Sequence, residues 1–258
     1  MLLVIDVGNT NIVMGIYDGE RLAHSWRLRT ERNTTEDEFN VIAASLFAGG
    51  NVRPGDIEQT VISCVVPPMT ALLEAFCRKY IGHRPQWVDA RVAAGMPILY
   101  KNPDEVGADR IVNAVAAYHK YRCALIVIDF GTATTFDAIS AVGEYIGGAI
   151  SPGIGISAEA LFMKASKLPR VDIHGYPSTV IGKDTATSIQ AGLIFGYAGL
   201  VDGMVGRMRH EMDQTPRVIA TGGLAPLMFR VAQSIEDVES NLTLEGLKII
   251  ANKTKPRH

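Results

Sequence analysis

The sequence predicts an α/β protein built as two similar domains, each a mixed sheet flanked by helices. The first observation is a repeated phrase. VIDVGNTN at residues 4–11 returns as VIDFGTAT at residues 127–134, so that Val4, Ile5, Asp6 and Gly8 recur as Val127, Ile128, Asp129 and Gly131. The second is that the repeat extends beyond the phrase: each copy opens a run of apolar, turn-punctuated segments that reads as a β meander, followed by helices and strands in alternation. The third is size. The 258 residues hold one large domain or two of roughly 100–150, and 47% apolar content fills packed cores on that scale.

Each element follows from local chemistry. Residues 2–7 form an apolar run, GNT turns the chain, IVMGIY continues as a second strand, DG turns it again, and RLAHSWRL reads as a third. The period then changes: Thr35 followed by Asp37 and Glu38 marks a helix start, and Phe39, Ile42, Ala43 and Leu46 form one apolar face. EQTVISCVV, bounded by Pro67 and Pro68, is a buried strand, MTALLEAFCRKYI a helix and PQWVDA a short strand. After the loop GMPILYKNPDEVGADR a helix runs through IVNAVAAYHKY, with Ile111, Val115 and Tyr118 at helical spacing.

There the pattern restarts. CALIVIDF, TTFDAIS and YIGGAIS form the second meander. Helices around SAEALFMKAS and SIQAGLIFGYAGLVDGMVGRMRHEM follow, then the strand PRVIATGG, a helix over LAPLMFRVAQS and a closing helix near TLEGLKIIANK. The expected domains are residues 1–118 and 119–258.

Composition narrows the function. The formal charge is −2 and no Lys/Arg cluster occurs before the tail NKTKPRH, which is expected to lie in solvent, so a nucleic-acid or anionic-lipid surface is not expected. MLLVIDVG has no basic leader and an aspartate interrupts its apolar run, which points to a cytoplasmic protein without a membrane partner. Cys64, Cys77 and Cys123 are odd in number and sit in apolar contexts, as reduced core thiols do. The six histidines, among them His174 and His258, show none of the paired spacings of a zinc site.

The repeated phrase itself carries chemistry. A carboxylate at the end of a buried strand, followed by a glycine turn with Thr or Asn side chains, suits a nucleoside triphosphate. Glycine lets the backbone approach phosphate oxygens, the N–H and hydroxyl groups donate to them, and the aspartate holds a charge-screening cation. Two facing turns, one per domain, would clamp the β and γ phosphates. Alone, GNTN is also an ordinary hairpin turn; the second copy at an equivalent position favours phosphate. Neither copy is a P-loop or a G-x-G-x-x-G fingerprint.

Two further stretches stand out. ATGGLAP at residues 220–226 lies between a strand and a helix, where paired glycines would let an adenine or ribose lie flat on the backbone, though TGG also serves as a plain turn. PDEVGADRIVN at residues 103–113 places Gly107, Asp109 and Arg110 at a helix start. Asp109 there is either a helix cap or a base toward a hydroxyl nucleophile, and Arg110 beside it can clamp a carboxylate or phosphate.

Taken in order over nearly the whole chain, DVGNTN, GADR, DFGTATT, GGAISPG and ATGGLAP resemble the type III pantothenate kinases of the acetate and sugar kinase, heat-shock cognate protein and actin superfamily. The resemblance implies two ribonuclease H-like (actin-like ATPase) domains. It also implies ATP as co-substrate and transfer of its γ-phosphate to the primary hydroxyl of pantothenate, the first step of coenzyme A synthesis.

By position, Asp6, Val7, Gly8, Asn9, Thr10, Asn11, Ile12 and Val13 correspond to the family's ATP loop, and Thr132 to a second phosphate contact. Residues around ATGG correspond to the adenosine loop of the second domain. Asp109 corresponds to the general base, with Gly107, Ala108 and Arg110 completing the pantothenate-binding GADR, and Tyr100 to a further pantothenate contact. Asp129 corresponds to the ligand of a monovalent cation, potassium or ammonium, and Asp6 to the partner of Mg2+, through water. The family closes its substrate pocket with the threonine of a G-K-N-T stretch; here the stretch is GKDT, so Thr185 keeps the hydroxyl and Asp184 replaces an amide.

The resemblance further implies a homodimer with the substrate pocket at its interface. The small residues of AGLIFGYAGLVDGMVG suit close helix packing there, as they suit a core helix. Two other readings stay open: a non-catalytic, nucleotide-binding regulatory homologue, and another small-molecule kinase of the same superfamily.

Overall fold

Each copy of the repeated phrase forms the central strand of a five-stranded mixed sheet. In the first, β1 (Leu2–Val7) pairs antiparallel with β2 (Asn11–Asp18), and β2 with β3 (Arg21–Arg29). On its other side β1 runs parallel to β4 (Gln59–Cys64), and β4 to β5 (Gln86–Trp87). Helices pack against both faces of this central strand. That is why Leu2–Ile5 form an apolar run that ends at Asp6, while edge strand β3 exposes Arg21, Ser25, Arg27 and Arg29. This computed structural model describes residues 1–173 and 175–254; His174 and residues 255–258 of the tail lie outside the described residues.

Helices α1 (Glu36–Gly49) and α2 (Pro67–Phe76) cover one face of the first sheet. Helix α1 starts at a reciprocal cap: Thr35 Oγ1 accepts from Glu38 N at 3.2 Å, and Glu38 Oε2 accepts from Thr35 N at 2.8 Å. It buries Phe39, Ala43 and Phe47; Ile42, expected on that face, points to solvent. In α2, Pro67 is the first helical residue rather than a strand boundary, a place where its missing N–H costs nothing. Phe39 and Phe76 meet edge to face, centroids 4.9 Å apart.

The second sheet repeats the plan. Its central strand β6 (Leu125–Phe130) pairs antiparallel with β7 (Ala133–Ile139), and β7 with β8 (Tyr145–Pro152). On its other side β6 runs parallel to β9 (Arg217–Gly222), and β9 to the two-residue β10 (Asp237–Val238). Helices α4 (Ile154–Lys164), α5 (Thr185–Glu211) and α6 (Ala225–Met228) belong to this unit. By length and composition α5 could cross a membrane. Here its Tyr197, Ala198, Val201 and Val205 pack into the core of the second sheet, and Asp202 accepts from the backbone N–H groups of Gln233 and Ser234 at 3.1 and 2.8 Å.

The chain divides into Met1–Ala116 with the segment from Leu242 onward, and Ala117–Asn241. The division falls inside α3 (Ala108–Tyr121). Residues 119–258, expected as one domain, fall in both units. The closing helix α7 (Leu242–Thr254) instead packs on β1, β2 and β4, burying Leu244, Leu247, Ile250 and Ala251. It is pinned to α3 within the same unit: Thr243 Oγ1 lies 2.8 Å from Asn113 Oδ1, and a Cβ on Gly246 would fall 2.3 Å from Val112 O. All three cysteines are free; Cys77 is fully buried, while Cys64 and Cys123 are half-buried rather than core.

Candidate active site

In the first unit, Asp6 sits one residue before the end of β1 and the chain turns back at once, Gly8 N donating to Asn11 O at 2.9 Å. Residues following β3 hold this turn. Thr30 N donates to Thr10 O at 3.0 Å, Thr30 Oγ1 to Gly8 O at 2.7 Å, and Arg32 Nη2 to Asn9 Oδ1 at 2.9 Å. Asn9 and Thr10 are exposed at the tip. Thr30 and Arg32 were not among the residues the sequence singled out; their only signal was their place at the end of a strand paired with β2.

Asp6 lies opposite Ser63 in the parallel β1–β4 register. Ser63 is fully buried, and its Oγ has no hydrogen-bond partner among the described residues. A carboxylate beside an orphaned hydroxyl is a hard-oxygen donor set, fitting a cation that keeps much of its water, as Mg2+ does. Among the described residues no group of three or more His, Cys, Asp and Glu side chains forms a metal cage. Cys64, next along, has its thiol pushed up by burial, with the Asp6 charge adding to the effect.

The GADR stretch opens α3 within the same unit. Val65 joins it to the turn, donating its N–H to Val7 O at 3.1 Å while its side chain lies beside Gly107. Ala108 begins the helix and Asp109 is in its first turn. Asp109 Oδ1 accepts from Arg110 N at 2.8 Å, so it serves the helix start as a plain cap would. Its carboxyl is nevertheless raised above the ordinary aspartate range, because burial disfavours the charge more than the Arg110 N–H and guanidinium favour it. A carboxylate whose proton affinity is raised is suited to take a proton. Arg110 is buried, 6% exposed. Tyr100 is half-buried in the loop leading to GADR.

In the second unit, Asp129 occupies on β6 the place that Asp6 has on β1, opposite Thr135 and Thr221. The following turn is closed by Gly131 N donating to Ala133 O at 3.0 Å, with Gly131 and Thr132 exposed. Two glycines press on it. Gly153, the residue before α4, donates its N–H to Thr132 O at 3.0 Å, and a Cβ there would fall 2.3 Å from that oxygen. Gly222 has φ +92°, and its Cβ would fall 2.5 Å from Asp129 Oδ1. The paired glycines of ATGG therefore divide their work: Gly222 makes room for the Asp129 carboxylate, while Gly223 alone faces open space where a flat ligand could lie.

The structure does not bring Thr185 to this turn. The turn abuts the start of α4, whereas Thr185 lies beside its last turns, lining a cavity of about 690 Å³ with Leu161, Leu168, Asp184 and Leu193. Asp184 is accounted for: its Oδ1 accepts from Thr187 N at 2.9 Å as the N-cap of α5, and that N–H holds its carboxyl below the usual range.

Comparison with known proteins agrees along the chain. A family model described as type III pantothenate kinase matches residues 2–207. A type III pantothenate kinase of Desulfatibacillum aliphaticivorans is 67% identical over 253 residues, covering 98% of each chain. Another from Desulfosudis oleivorans is 60% identical over 255 residues, covering 99% of this chain and all of its own. The solved structure of the inorganic polyphosphate/ATP-glucomannokinase from Arthrobacter sp. strain KM matches with TM-score 0.51 at 15% identity over 98% of each chain, a likeness of fold alone. Two sheets of one plan, each with an aspartate and a glycine turn at its central strand, are thus found in a chain matched end to end by enzymes of one kind: it belongs to the type III pantothenate kinase family.

Proposed function

We propose that this chain transfers the γ-phosphoryl group of ATP to the primary hydroxyl of pantothenate, with Asp109 as the general base. The observation that carries the assignment of the base is the raised carboxyl of Asp109 at the start of α3, beside the buried Arg110. In the reaction Asp109 accepts the hydroxyl proton as that oxygen attacks the γ-phosphorus. The bond from the γ-phosphorus to the β–γ bridging oxygen breaks, and ADP carries away the electron pair. Arg110 and Tyr100, with the backbone of Gly107 and Ala108, orient pantothenate. Phosphoryl transfer asks mainly for such positioning and for charge stabilisation.

The turn of residues 6–13 donates to the ATP phosphates and Thr132 adds a contact to the phosphate tail. Asp6 with Ser63 would hold hydrated Mg2+ and Asp129 a potassium or ammonium ion, whose charges offset those of the phosphates. Thr185 stands apart from the second turn within the unit, which suits a contribution to the pocket of a second copy, as in a homodimer.

The test is direct. Purified protein supplied with ATP, Mg2+ and potassium is expected to form 4'-phosphopantothenate, seen by mass spectrometry, and to leave common sugars unphosphorylated. Sodium in place of potassium is expected to depress the rate. ATP binding with no phosphoryl transfer to pantothenate would instead favour a nucleotide-binding regulatory homologue.

A further inference from the structure

The segment after β3 holds the first turn at three consecutive residues: Gly8 by the Thr30 hydroxyl, Asn9 by the Arg32 guanidinium, and Thr10 by the Thr30 backbone N–H. The backbone bond continues the β2–β3 ladder, in which Asn11 faces Arg29, and any residue but proline could make it. The other two depend on the side chains. The ladder already runs from Asn11 to Asp18, interrupted by one bulge between Ile16 and Tyr17 far from the turn, so neither side chain is needed to pair the hairpin.

We infer that Thr30 and Arg32 are positioning residues for the ATP phosphates, acting through Gly8 and Asn9; the inference rests on the reading of residues 8–11 as the phosphate turn. A backbone turn attracts an anion only with its N–H edge, since carbonyl oxygens repel phosphate. Thr30 draws the carbonyls of both Gly8 and Thr10 toward itself. That selects which edge of the turn an anion meets.

Arg32 acts on the side chain of Asn9. A guanidinium has donors and no acceptor, so only the oxygen of the Asn9 amide can face it, and the two Nδ2 hydrogens are turned the other way. Phosphate oxygens accept hydrogen bonds, so the orientation set by Arg32 is the one that presents donors to them. Without Arg32 the amide can turn over and offer its oxygen to an anion. Arg32 is exposed, so solvent and salt screen its direct pull on phosphate, and the orienting contact is its main contribution.

The test uses the full chain carrying Thr30→Val, Thr30→Ser or Arg32→Met, with steady-state kinetics in both substrates and a thermal melt. Thr30→Val and Arg32→Met are each expected to raise KM for ATP by about 5- to 10-fold, the size of one lost hydrogen bond. KM for pantothenate, kcat and Tm are expected to stay near wild type, and Thr30→Ser to restore KM for ATP. Wild-type KM for ATP in both variants would overturn the inference, as would equal weakening toward both substrates with a lowered Tm, or failure of serine to restore. Should the wild-type protein not phosphorylate pantothenate, the functional reading fails separately. Calorimetric titration with MgATP then decides this inference by the same criterion: weaker binding in the two variants supports it, unchanged binding overturns it.

Discussion

Gly222 and Asp129 compete for one volume: a Cβ on Gly222 falls 2.5 Å from Asp129 Oδ1 and 2.7 Å from both the N and the O of Phe130. The glycine also holds φ +92°, which an L side chain resists. The end of β9 is thus shaped around the carboxylate at the end of β6, the neighbouring strand in the sheet.

Gly222→Ala should therefore lower stability by about 2–4 kcal/mol, from the backbone strain and the overpacking together. Because the displaced group is Asp129, the proposed cation ligand, the variant should also lose the preference for potassium over sodium proposed for the wild type. Denaturant titration and rates in the two salts check both parts; an alanine variant as stable and as potassium-dependent as wild type would refute the relationship.

Gly153 has a comparable duty toward the turn of Thr132. A Cβ there would fall 2.3 Å from Thr132 O and 2.6 Å from Gly131 O, so Gly153→Ala must displace the turn. A misplacement on the order of 1 Å costs up to about 10²-fold, and kcat/KM for ATP should fall on that scale. Unchanged kcat/KM for ATP in this variant would remove Thr132 from the phosphate site.

Asp184 is read as a helix cap and not as a substrate contact. Asp184→Asn keeps an acceptor for Thr187 N and should be near neutral in both stability and rate. Asp184→Ala should lower Tm by about 2 °C at saturating substrate with little change in KM for pantothenate. A large rise in that KM for the asparagine variant would give Asp184 a direct role.

The two meanders, the helix starts at Thr35 and at GADR, and the two carboxylates could be read from residue order, because each is written in local turn and period signals. The parts that could not be read depend on contacts distant in sequence. The apolar face of α7 is plain, but periodicity does not say which sheet it covers. The helix expected over LAPLMFRVAQS stops at Met228, and the amides of Gln233 and Ser234 are bound by Asp202 from α5 rather than by a helix of their own. Strand β10 is too short to carry an alternation. The packing of Gly222 is set by its neighbour on β6, which residue order does not name, and Thr30 and Arg32 carry no motif of their own.

The raised carboxyl of half-buried Asp109 sets the sign of a pH dependence in stability. Its folded carboxyl is raised, so the folded chain binds that proton more tightly than the unfolded chain does. The resulting stability is full below the unfolded aspartate value of about 3.9 and is lost as pH rises through the raised folded value. Asp109→Asn, which has no proton to lose, should melt above wild type at neutral pH, and the gap should close toward pH 4. A melt series across that range checks it; an asparagine variant less stable than wild type at neutral pH would contradict the assigned cause.

If Asp109 takes the hydroxyl proton, its replacement must show in turnover, and the decisive variant is Asp109→Asn at saturating ATP and pantothenate. Turnover is expected to fall by about 10²-fold or more with KM for ATP nearly intact. Wild-type turnover in that variant would contradict it.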